Sequence, residues 1–255
     1  MHAGRLPVDD VLAELLQALE VTSSVVLSAP TGAGKTTRVP PALLDAGFGA
    51  VWMLEPRRLA ARAAAARMAR ERGVELGEEV GYRVRFEARS GPRTRLCVVT
   101  EGLFLRRLQA DPFLEGIGCV VFDEFHERGL FADLALAMVR RLQAELRPEL
   151  KIIVMSATLD VDLVAGFLEP CGRVVSEGRL FPVEERYLPP AGREPLEEHL
   201  ARGVREAFEA TDGDLLAFLP GVGEIRRAAD HLAGWAQGAG CAVRPLYGDL
   251  PARDQ

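Results

Sequence analysis

The sequence predicts an α/β fold in which a parallel sheet is covered by helices on both faces. Apolar runs alternate with segments of helical spacing along most of the chain. Fully apolar strands separated by helices are typical of parallel sheets with both faces covered. A glycine-rich loop directly follows an early apolar run, and acidic or hydroxyl residues follow two later runs. Ligands of such sheets bind at the carboxyl ends of the strands, where we expect these segments to meet.

The spacing of apolar residues places the individual elements. The first is an amphipathic helix, since apolar residues recur at helical spacing over residues 8–19. The predicted strands follow at residues 25–27, 50–54, 82–86, 95–100, 119–123 and 151–155. The further predicted helices are one that ends near residue 47 and three at residues 58–72, 102–108 and 133–146.

A second unit of the same class is predicted from about residue 182, where the pattern starts again. Its predicted elements are a helix over residues 196–210, a strand over 214–219, a helix after Gly221 and a strand over 242–246. We expect residues 1–182 to form one domain and residues 183–255 to form part of a second. So few strands leave an incomplete sheet with an unpaired edge, so we expect a fragment of a longer protein.

Composition excludes some classes of protein. The chain has 255 residues, of which 48% are hydrophobic, and this is ample for a buried core. The net charge of −6 argues against a basic nucleic-acid coat protein. Residues 55–95 nevertheless contain eleven arginines and six glutamates. This segment is either a local basic face for a polyanion or a set of solvated helix faces.

Cysteine spacing and hydropathy indicate the compartment. The four cysteines are far apart, with neither a Cys-x-x-Cys pair nor a histidine cluster. We therefore expect a reducing compartment and no zinc site. No apolar run reaches the roughly 18 residues that a membrane span requires, and the N-terminus lacks the apolar region of a signal peptide. We expect a cytoplasmic protein with no membrane partner.

A phosphate-binding loop is predicted at residues 29–36, which read APTGAGKT. The glycine-rich turn lets successive backbone N–H groups face one concavity, and the N-terminus of the following helix adds its positive dipole end. Lys35 can reach the terminal phosphates of a nucleotide, and the Thr36 hydroxyl can bind Mg²⁺. The alternative is a glycine-rich turn with a surface lysine, although Lys35 is one of only two lysines. The predicted nucleotide-binding residues are Thr31, Gly32, Ala33, Gly34, Lys35, Thr36 and Thr37.

A pair of acidic residues, Asp123 and Glu124, follows a fully apolar strand about 90 residues after this loop. Asp123 is placed to hold Mg²⁺ opposite Thr36, and Glu124 to orient and deprotonate an attacking water. The alternative for Asp123 is a helix N-cap. Together with the loop, the pair predicts a site for Mg²⁺ and ATP.

The segment Asp123-Glu124-Phe125-His126 resembles the namesake motif of the DEAH-box helicases, with Phe125 where alanine is usual. Further blocks resemble motifs of that family in the same order, at residues 55–61, 100–106, 156–158, 218–221 and 246–251. The resemblance covers nearly the whole chain. It implies two RecA-like domains, the second incomplete here, with ATP and Mg²⁺ as cofactors and single-stranded nucleic acid as partner.

The resemblance also implies a nucleic-acid face. Arg57 and Arg58 would contact the phosphate backbone, which guanidinium groups bind in bidentate fashion. Thr100, Glu101 and Gly102 would lie along the same face. The alternatives are a surface arginine pair at a strand end and an ordinary helix cap with an acid in its first turn.

Roles for four other residues follow from the same resemblance. Arg67 would stack on adenine, or else be a solvated helix residue. His126 would sense the terminal phosphate, which places it with Lys35 and Glu124 in the catalytic set, unless it is structural. Ser156 and Thr158 would couple hydrolysis to the nucleic-acid face, or else be hydroxyls at a strand end.

The expected function is that of the motor region of an ATP-dependent helicase, with RNA favoured over DNA. The alternative is a nucleotide-gated module that binds nucleic acid or ribonucleoprotein without unwinding duplexes. A third possibility, a transporter-type ATPase, lacks its LSGGQ-like signature here. No block of the type Q-x-x-G-R-x-G-R supplies arginine fingers. Because a missing finger costs about 10³–10⁵ in rate, we expect this chain alone to bind nucleotide weakly and hydrolyse it very slowly.

Overall fold

A mostly parallel sheet of eight strands runs through the first part of the chain in the computed structural model, which describes residues 4–157, 161–178, 183–248, 250, 251 and 254. The strand order is β4-β3-β5-β2-β6-β7-β1-β8, and only the β3–β4 pairing is antiparallel among the described strands. The strands are β1 (Ser24–Ser28), β2 (Ala50–Glu55), β3 (Val80–Val84), β4 (Glu87–Arg89), β5 (Leu96–Thr100), β6 (Ile117–Phe122), β7 (Lys151–Ser156) and β8 (Gly172–Val175). The predicted α/β class is confirmed.

Helices cover both faces of this sheet, as the apolar strands predict. The helices are α1 (Leu12–Val21), α2 (Lys35–Asp45), α3 (Arg58–Arg72), α4 (Glu101–Ala110), α5 (Leu130–Glu145) and α6 (Val161–Phe167). Short 3-10 turns lie at Pro7–Asp10 and Phe125–Glu127. Side chains alternate along β1, so Val25 packs in a core with α1, α2 and α3, while Val26 packs in a core with α4, α5 and α6.

The sheet differs from the predicted one at its two edges. The strand predicted at residues 82–86 ends at Val84, because the chain reverses at Phe86, whose φ is 66°, and returns as β4. Strand β8 was not predicted, because its four residues carry too few apolar side chains to stand out from a loop. Helix α6 was not predicted either.

The chain divides into two compact units, residues 1–181 and 182–255. In the second unit, the helices α7 (Leu196–Ala210) and α8 (Val222–Ala239) form where helices were predicted. They pack together, with the rings of Phe208 and Trp235 edge to face at 5.3 Å between centroids.

The strands predicted in the second unit are wrong. Residues 214–219 and 242–246 are described, and neither segment is assigned as a strand. An apolar run becomes a strand only when a neighbouring strand supplies its hydrogen bonds, and two isolated strands are at best marginally stable. Among the residues that the structure describes, no helix is long and apolar enough to cross a membrane.

Candidate active site

Four neighbouring strands bring the predicted nucleotide-site residues together at their carboxyl ends. The order β2-β6-β7-β1 places the ends of these strands side by side. The Asp123 N–H, just after β6, donates to the Leu54 carbonyl of β2 at 3.0 Å. The Ala29 N–H, just after β1, donates to the Ser156 carbonyl of β7 at 3.0 Å. Ser156 therefore lies between the glycine-rich loop and Asp123.

The glycine-rich loop has the backbone that its glycines allow. Gly32 and Gly34 have φ angles of 80° and 94°, in the left-handed region that favours glycine. A Cβ on Gly34 would lie 2.6 Å from Leu6 Cδ1, so the space beside it is also closed. Helix α2 begins at Lys35 directly after the loop. Its first backbone N–H groups have no partner within the helix and are suited to bind an anion.

Lys35 is buried beneath this loop. Its side chain folds back so that Nζ donates to the Ala29 carbonyl at 2.6 Å and to the Pro30 carbonyl at 3.1 Å. Burial lowers the pKa of Lys35, and the nearby carboxylates of Glu124 and Asp123 act in the opposite direction. With only 4% of the residue exposed, Lys35 does not match the alternative of a surface lysine.

Asp123 presents a buried carboxylate with one oxygen unused. Oδ1 accepts from the Glu124 N–H at 2.9 Å, and Oδ2 has no hydrogen-bond partner among the described residues. The pKa of Asp123 is raised to about 6, because the effect of burial exceeds the opposite effect of the Thr36 hydroxyl. Carboxylate and hydroxyl oxygens are the hard ligands that Mg²⁺ prefers, so these two residues fit the ion. The N-cap residue of the following 3-10 turn is Glu124, so the N-cap alternative does not describe Asp123.

Glu124 and His126 follow in a tight turn. Glu124 has a φ of 48°, an uncommon backbone conformation for a residue with a side chain, and such outliers cluster at functional sites. His126 Nδ1 lies 3.4 Å from Glu124 Oε2 and, within the described ranges, makes no hydrogen bond. The turn therefore directs two polar side chains that have few partners of their own.

Residues of the glycine-rich loop and Glu124 line a cavity of about 230 Å³, whereas Asp123 and His126 are not among its lining residues. Its lining residues are Leu6, Gly32, Gly34, Lys35, Thr36, Thr37, Arg67 and Glu124. Thr31, which is exposed, and Ala33, which is buried, lie in the same loop without lining the cavity. Arg67 reaches the cavity from α3 and forms an ion pair with Glu71, with 2.9 Å between Nε and Oε1. Arg67 thus lines the cavity, while its exposure and its ion pair along the helix also fit the alternative of a solvated helix residue.

The predicted nucleic-acid residues lie at two neighbouring strand ends. Glu55, the last residue of β2, pairs in register with Thr100, the last residue of β5. Arg57 and Arg58 follow at the start of α3 and are exposed. Thr100 occupies the N-cap position of α4 without a capping hydrogen bond from its side chain.

Two further members of this predicted face are partly buried. Glu101 begins α4, and burial raises its pKa, with a smaller contribution from Glu127. A Cβ on Gly102 would meet nothing within 4 Å, so the backbone there is open to a ligand. The helix-cap alternative for residues 100–102 also fits these positions.

Glu55 lies beside these residues and was not predicted from the sequence. This carboxyl is 3% exposed, and burial raises its pKa to about 8, with repulsion from Asp123 and Glu124 adding to the shift. An available signal was its position, since Glu55 ends an apolar strand as Asp123 follows one. Leu6 and Glu71 also went unnoticed, because no sequence pattern links them to the loop.

Thr158 lies outside the described residues, so its predicted coupling role stays a prediction. Residues 218–221 and 246–251, which carry the later sequence blocks, lie in the second unit. Asp249 within the second block is also outside the described residues.

Comparisons with known proteins agree with this geometry. A sequence profile described as DEAD/DEAH box helicase matches residues 10–165. The ATP-dependent RNA helicase HrpB of Escherichia coli is 50% identical over 98% of this chain, which spans 31% of that protein. The ATP-dependent RNA helicase HrpA homolog of Haemophilus influenzae is 35% identical over 98% of this chain, which spans 20% of that protein. This chain thus spans about a third or less of the length of these relatives.

A solved structure gives the same result in three dimensions. The crystal structure of the Escherichia coli DEAH/RHA helicase HrpB matches 98% of this chain with a TM-score of 0.88 and 48% sequence identity, and the match covers 32% of that chain. The profile match spans more than half of the present chain, including the glycine-rich loop and the Asp123-Glu124 pair. The chain therefore belongs to the DEAD/DEAH box helicase family.

Proposed function

We propose that this chain is the motor region of an ATP-dependent RNA helicase. In this proposal, the hydrolysis of Mg-ATP drives single-strand binding and translocation. One observation carries the proposal: Lys35, Thr36 and Glu124 line one cavity, beside the buried and partly unpartnered carboxylate of Asp123. A cation for phosphate, two oxygens for Mg²⁺ and a base for water are the parts that phosphoryl transfer to water needs.

The proposed reaction breaks the bond between the terminal phosphorus and the bridging oxygen of the β-phosphate. A water oxygen attacks the phosphorus, ADP leaves with the bridging oxygen, and a water proton passes to the Glu124 carboxylate. Lys35 exchanges its two loop carbonyls for phosphate oxygens and so stabilises the negative charge of the transition state. The burial of Lys35 strengthens this effect, since charges interact more strongly away from water.

Thr36 and Asp123 are the residues that would hold Mg²⁺. Bound there, the ion would neutralise part of the phosphate charge. The fit rests on Asp123 Oδ2, a buried carboxylate oxygen with no hydrogen-bond partner within the described residues. We propose that His126, whose Nδ1 lies 3.4 Å from Glu124 Oε2, responds to the terminal phosphate.

We propose that Arg57, Arg58 and residues 100–102 bind the sugar-phosphate backbone of the single strand. Their position at neighbouring strand ends and the exposure of both arginines support this role. RNA is favoured because both named relatives are called RNA helicases. Ser156 is a proposed coupling residue, because its carbonyl accepts from the first residue of the phosphate loop.

We further propose that residues 1–182 form the ATP-binding RecA-like domain and residues 183–255 part of a second RecA-like domain. In the family, the second domain contributes arginine fingers, and residues 1–255 carry no block of that type. Nucleotide binding by this chain alone is then weak, and turnover is very slow. The alternative function, a nucleotide-gated module without unwinding activity, uses the same site and differs only in what hydrolysis does to a duplex.

The experiment that tests the proposal is the binding of a fluorescent ATP analogue with Mg²⁺, with and without single-stranded RNA. Lys35→Ala is expected to lose nucleotide binding. Lys151→Ala is the matched control, because Lys151 is the other lysine and its Nζ donates to the Leu19 carbonyl, away from the cavity. Equal binding by wild type and Lys35→Ala would show that the loop is not the nucleotide site. Mutual enhancement of RNA and nucleotide binding would support coupling between the two faces.

A further inference from the structure

The phosphate loop, residues 29–36, is held by two segments that are far apart in the sequence. The first is the N-terminal arm, residues 4–10, whose Val8 N–H donates to the Ala33 carbonyl at 3.0 Å. The Val8 side chain is fully buried in the core that also contains side chains of α1 and α2. The arm therefore has a fixed position from which it holds the loop.

Ser176 begins the second segment, residues 176–178, which follows β8. Its N–H donates at 2.8 Å to the carbonyl of Ser28, the residue just before the loop. Its hydroxyl donates to the Pro7 carbonyl at 3.3 Å, and the residue is 5% exposed. One buried serine therefore connects the end of β1, where the loop starts, to the arm that holds Ala33.

Gly178 brings the same segment against the loop itself. Its φ is 67°, and a Cβ there would lie 2.6 Å from Pro30 Cγ, so the Gly178 backbone packs directly on the proline ring. The Pro30 carbonyl accepts from Lys35 Nζ at 3.1 Å. In the proposed reaction, Lys35 leaves this carbonyl for a phosphate oxygen. Pro30 thus contacts both the lysine that moves and the chain that continues toward the second unit, which begins at Pro182.

We propose that Ser176 is a positioning residue, which holds the arm and residues 176–178 against the phosphate loop and so keeps the loop in its phosphate-binding conformation. A loop that adopts its binding conformation only part of the time binds its ligand more weakly by that fraction. Linkage requires the converse, so phosphate bound by the loop stabilises the contacts of Ser176. The inference rests on the proposed function and adds to it a route from the phosphate site to the chain that enters the second unit.

The first test measures the binding of ATP and of inorganic tripolyphosphate, each with Mg²⁺, by calorimetry on this chain. Ser176→Ala removes the hydrogen bond to Pro7 and should weaken both ligands by the same factor, about two- to fivefold, because the loop binds the phosphates that both ligands share. Ser23→Ala is the matched control. It removes another hydrogen bond from a serine hydroxyl to a proline carbonyl, Ser23 to Pro148 at 2.7 Å, beside the opposite end of β1. This control should bind both ligands like the wild type.

A second pair of variants tests the contact between Gly178 and Pro30. Gly178→Ala places a Cβ against the proline ring and should also weaken both ligands by about two- to fivefold. Gly73→Ala is its control, because Gly73 has a similar φ of 69° and a Cβ there meets nothing within 4 Å. The control carries the same backbone strain without the contact and should bind both ligands like the wild type. Thermal melting shows whether each variant is folded.

Hydrogen exchange of the wild type gives a readout that a purely structural role would not change. Mg²⁺ with tripolyphosphate, at about ten times its dissociation constant, should slow the exchange of the Val8 and Ser176 amides by up to about tenfold. The Arg147 amide, which donates to the Leu142 carbonyl at the end of α5, should exchange at the same rate with and without the ligand.

Three results would each overturn the inference alone. They are unchanged binding of both ligands by folded Ser176→Ala, a loss of ATP binding without a loss of tripolyphosphate binding, and unchanged exchange of the Val8 and Ser176 amides. If Ser176→Ala does not fold, the same binding results for Gly178→Ala decide. Retention of both ligands by Lys35→Ala would instead overturn the proposed function and the inference with it.

Discussion

Arg57 and Glu127 form an ion pair, with 2.9 Å between Nη2 of the arginine and Oε1 of the glutamate. Glu127 ends the 3-10 turn that follows the Asp123-Glu124 pair. A side chain proposed to bind nucleic acid is therefore tied to the segment proposed to carry out hydrolysis. The Arg57 side chain is 71% exposed, so a phosphate group can reach it.

We expect a strand phosphate to compete with Glu127 for Arg57. Glu127→Gln should then bind single-stranded RNA two- to fivefold more tightly, because an exposed ion pair contributes about 0.2–1 kcal/mol. Fluorescence anisotropy with a labelled single strand measures this change. Glu145→Gln is the matched control, since Glu145 pairs with Arg141 in another exposed ion pair. Unchanged or weaker RNA binding by Glu127→Gln would show that the pair does not restrain Arg57.

Removal of Arg57 itself should weaken RNA binding and lower its salt dependence. Each phosphate contact to a single strand contributes about 0.7 to the slope of log K against log salt. Arg57→Ala should therefore reduce that slope by roughly this amount, as measured by titrations at several salt concentrations. Arg141→Ala removes an exposed arginine from α5 and should leave the slope unchanged. A slope unaffected by Arg57→Ala would exclude this side chain from the phosphate contacts.

The burial of Glu55 predicts a specific pH dependence of stability. Its pKa is about 8 in the folded chain and 4.5 in the unfolded chain, so the folded state binds the Glu55 proton more tightly. The stabilisation from this group is complete below pH 4.5 and is lost as the pH rises through about 8. Glu55→Gln should remove this loss. The melting temperature of the variant should therefore rise relative to wild type between pH 5 and about pH 9.

Melting temperatures at several pH values check the prediction for Glu55. Glu75→Gln is a suitable control, because Glu75 is exposed. A constant difference in melting temperature between Glu55→Gln and wild type, from acid to alkaline pH, would contradict the raised pKa.

The proposed role of Glu124 predicts that binding and hydrolysis separate. Glu124→Gln keeps the size and the hydrogen-bonding capacity of the side chain but cannot accept the water proton. Loss of a general base typically costs about 10²–10⁴ in rate, so single-turnover hydrolysis of ATP should fall by this factor while ATP affinity stays within about threefold. Glu115→Gln, at an exposed loop position, controls for the loss of one negative charge. Hydrolysis at the wild-type rate by Glu124→Gln would assign the base to another residue.

Local patterns in the sequence predicted most of the helices and strands of the first unit, but not which strands lie next to each other in the sheet. Apolar runs located six of the sheet strands, because each run is buried on both faces. The order of the strands is not local information. Glu55 lies beside Asp123 only because β2 and β6 are adjacent in the sheet, although many residues separate them in the chain. For this reason Asp123 was predicted from the sequence and Glu55 was not.

The wrong strands of the second unit have the same physical origin. Residues 214–219 are apolar enough for a strand, but Leu216 and Phe218 are 74% and 85% exposed. A run of apolar residues shows that a segment has side chains to bury. The segment that would cover them lies elsewhere in the sequence and is not part of the pattern. Leu6 differs from these residues, because it has a partner that its sequence pattern does not indicate. Leu6 lies against the backbone of Gly34, a residue without a side chain.

The last prediction uses the two glycines of the phosphate loop as an internal comparison. Gly32 and Gly34 both have left-handed backbone, so an alanine at either position is strained by about 1–2 kcal/mol. A Cβ on Gly32 meets nothing within 4 Å, whereas a Cβ on Gly34 lies 2.6 Å from Leu6 Cδ1. Gly34→Ala should therefore destabilise the chain by about 0.5–1.5 kcal/mol more than Gly32→Ala, the cost of forcing the partly exposed Leu6 side chain off its rotamer.

Urea unfolding of both variants, followed by circular dichroism, measures this difference. The double variant Leu6→Ala with Gly34→Ala separates strain from most of the crowding. Alanine lacks the Cδ1 atom at 2.6 Å and leaves the backbone conformation unchanged, while its Cβ, at 3.1 Å, remains. We expect the double variant to recover most of the additional loss of stability. The remaining loss should be similar to that of Gly32→Ala. If both single variants lose the same stability, Leu6 does not pack against Gly34 and does not form the cavity wall beside it.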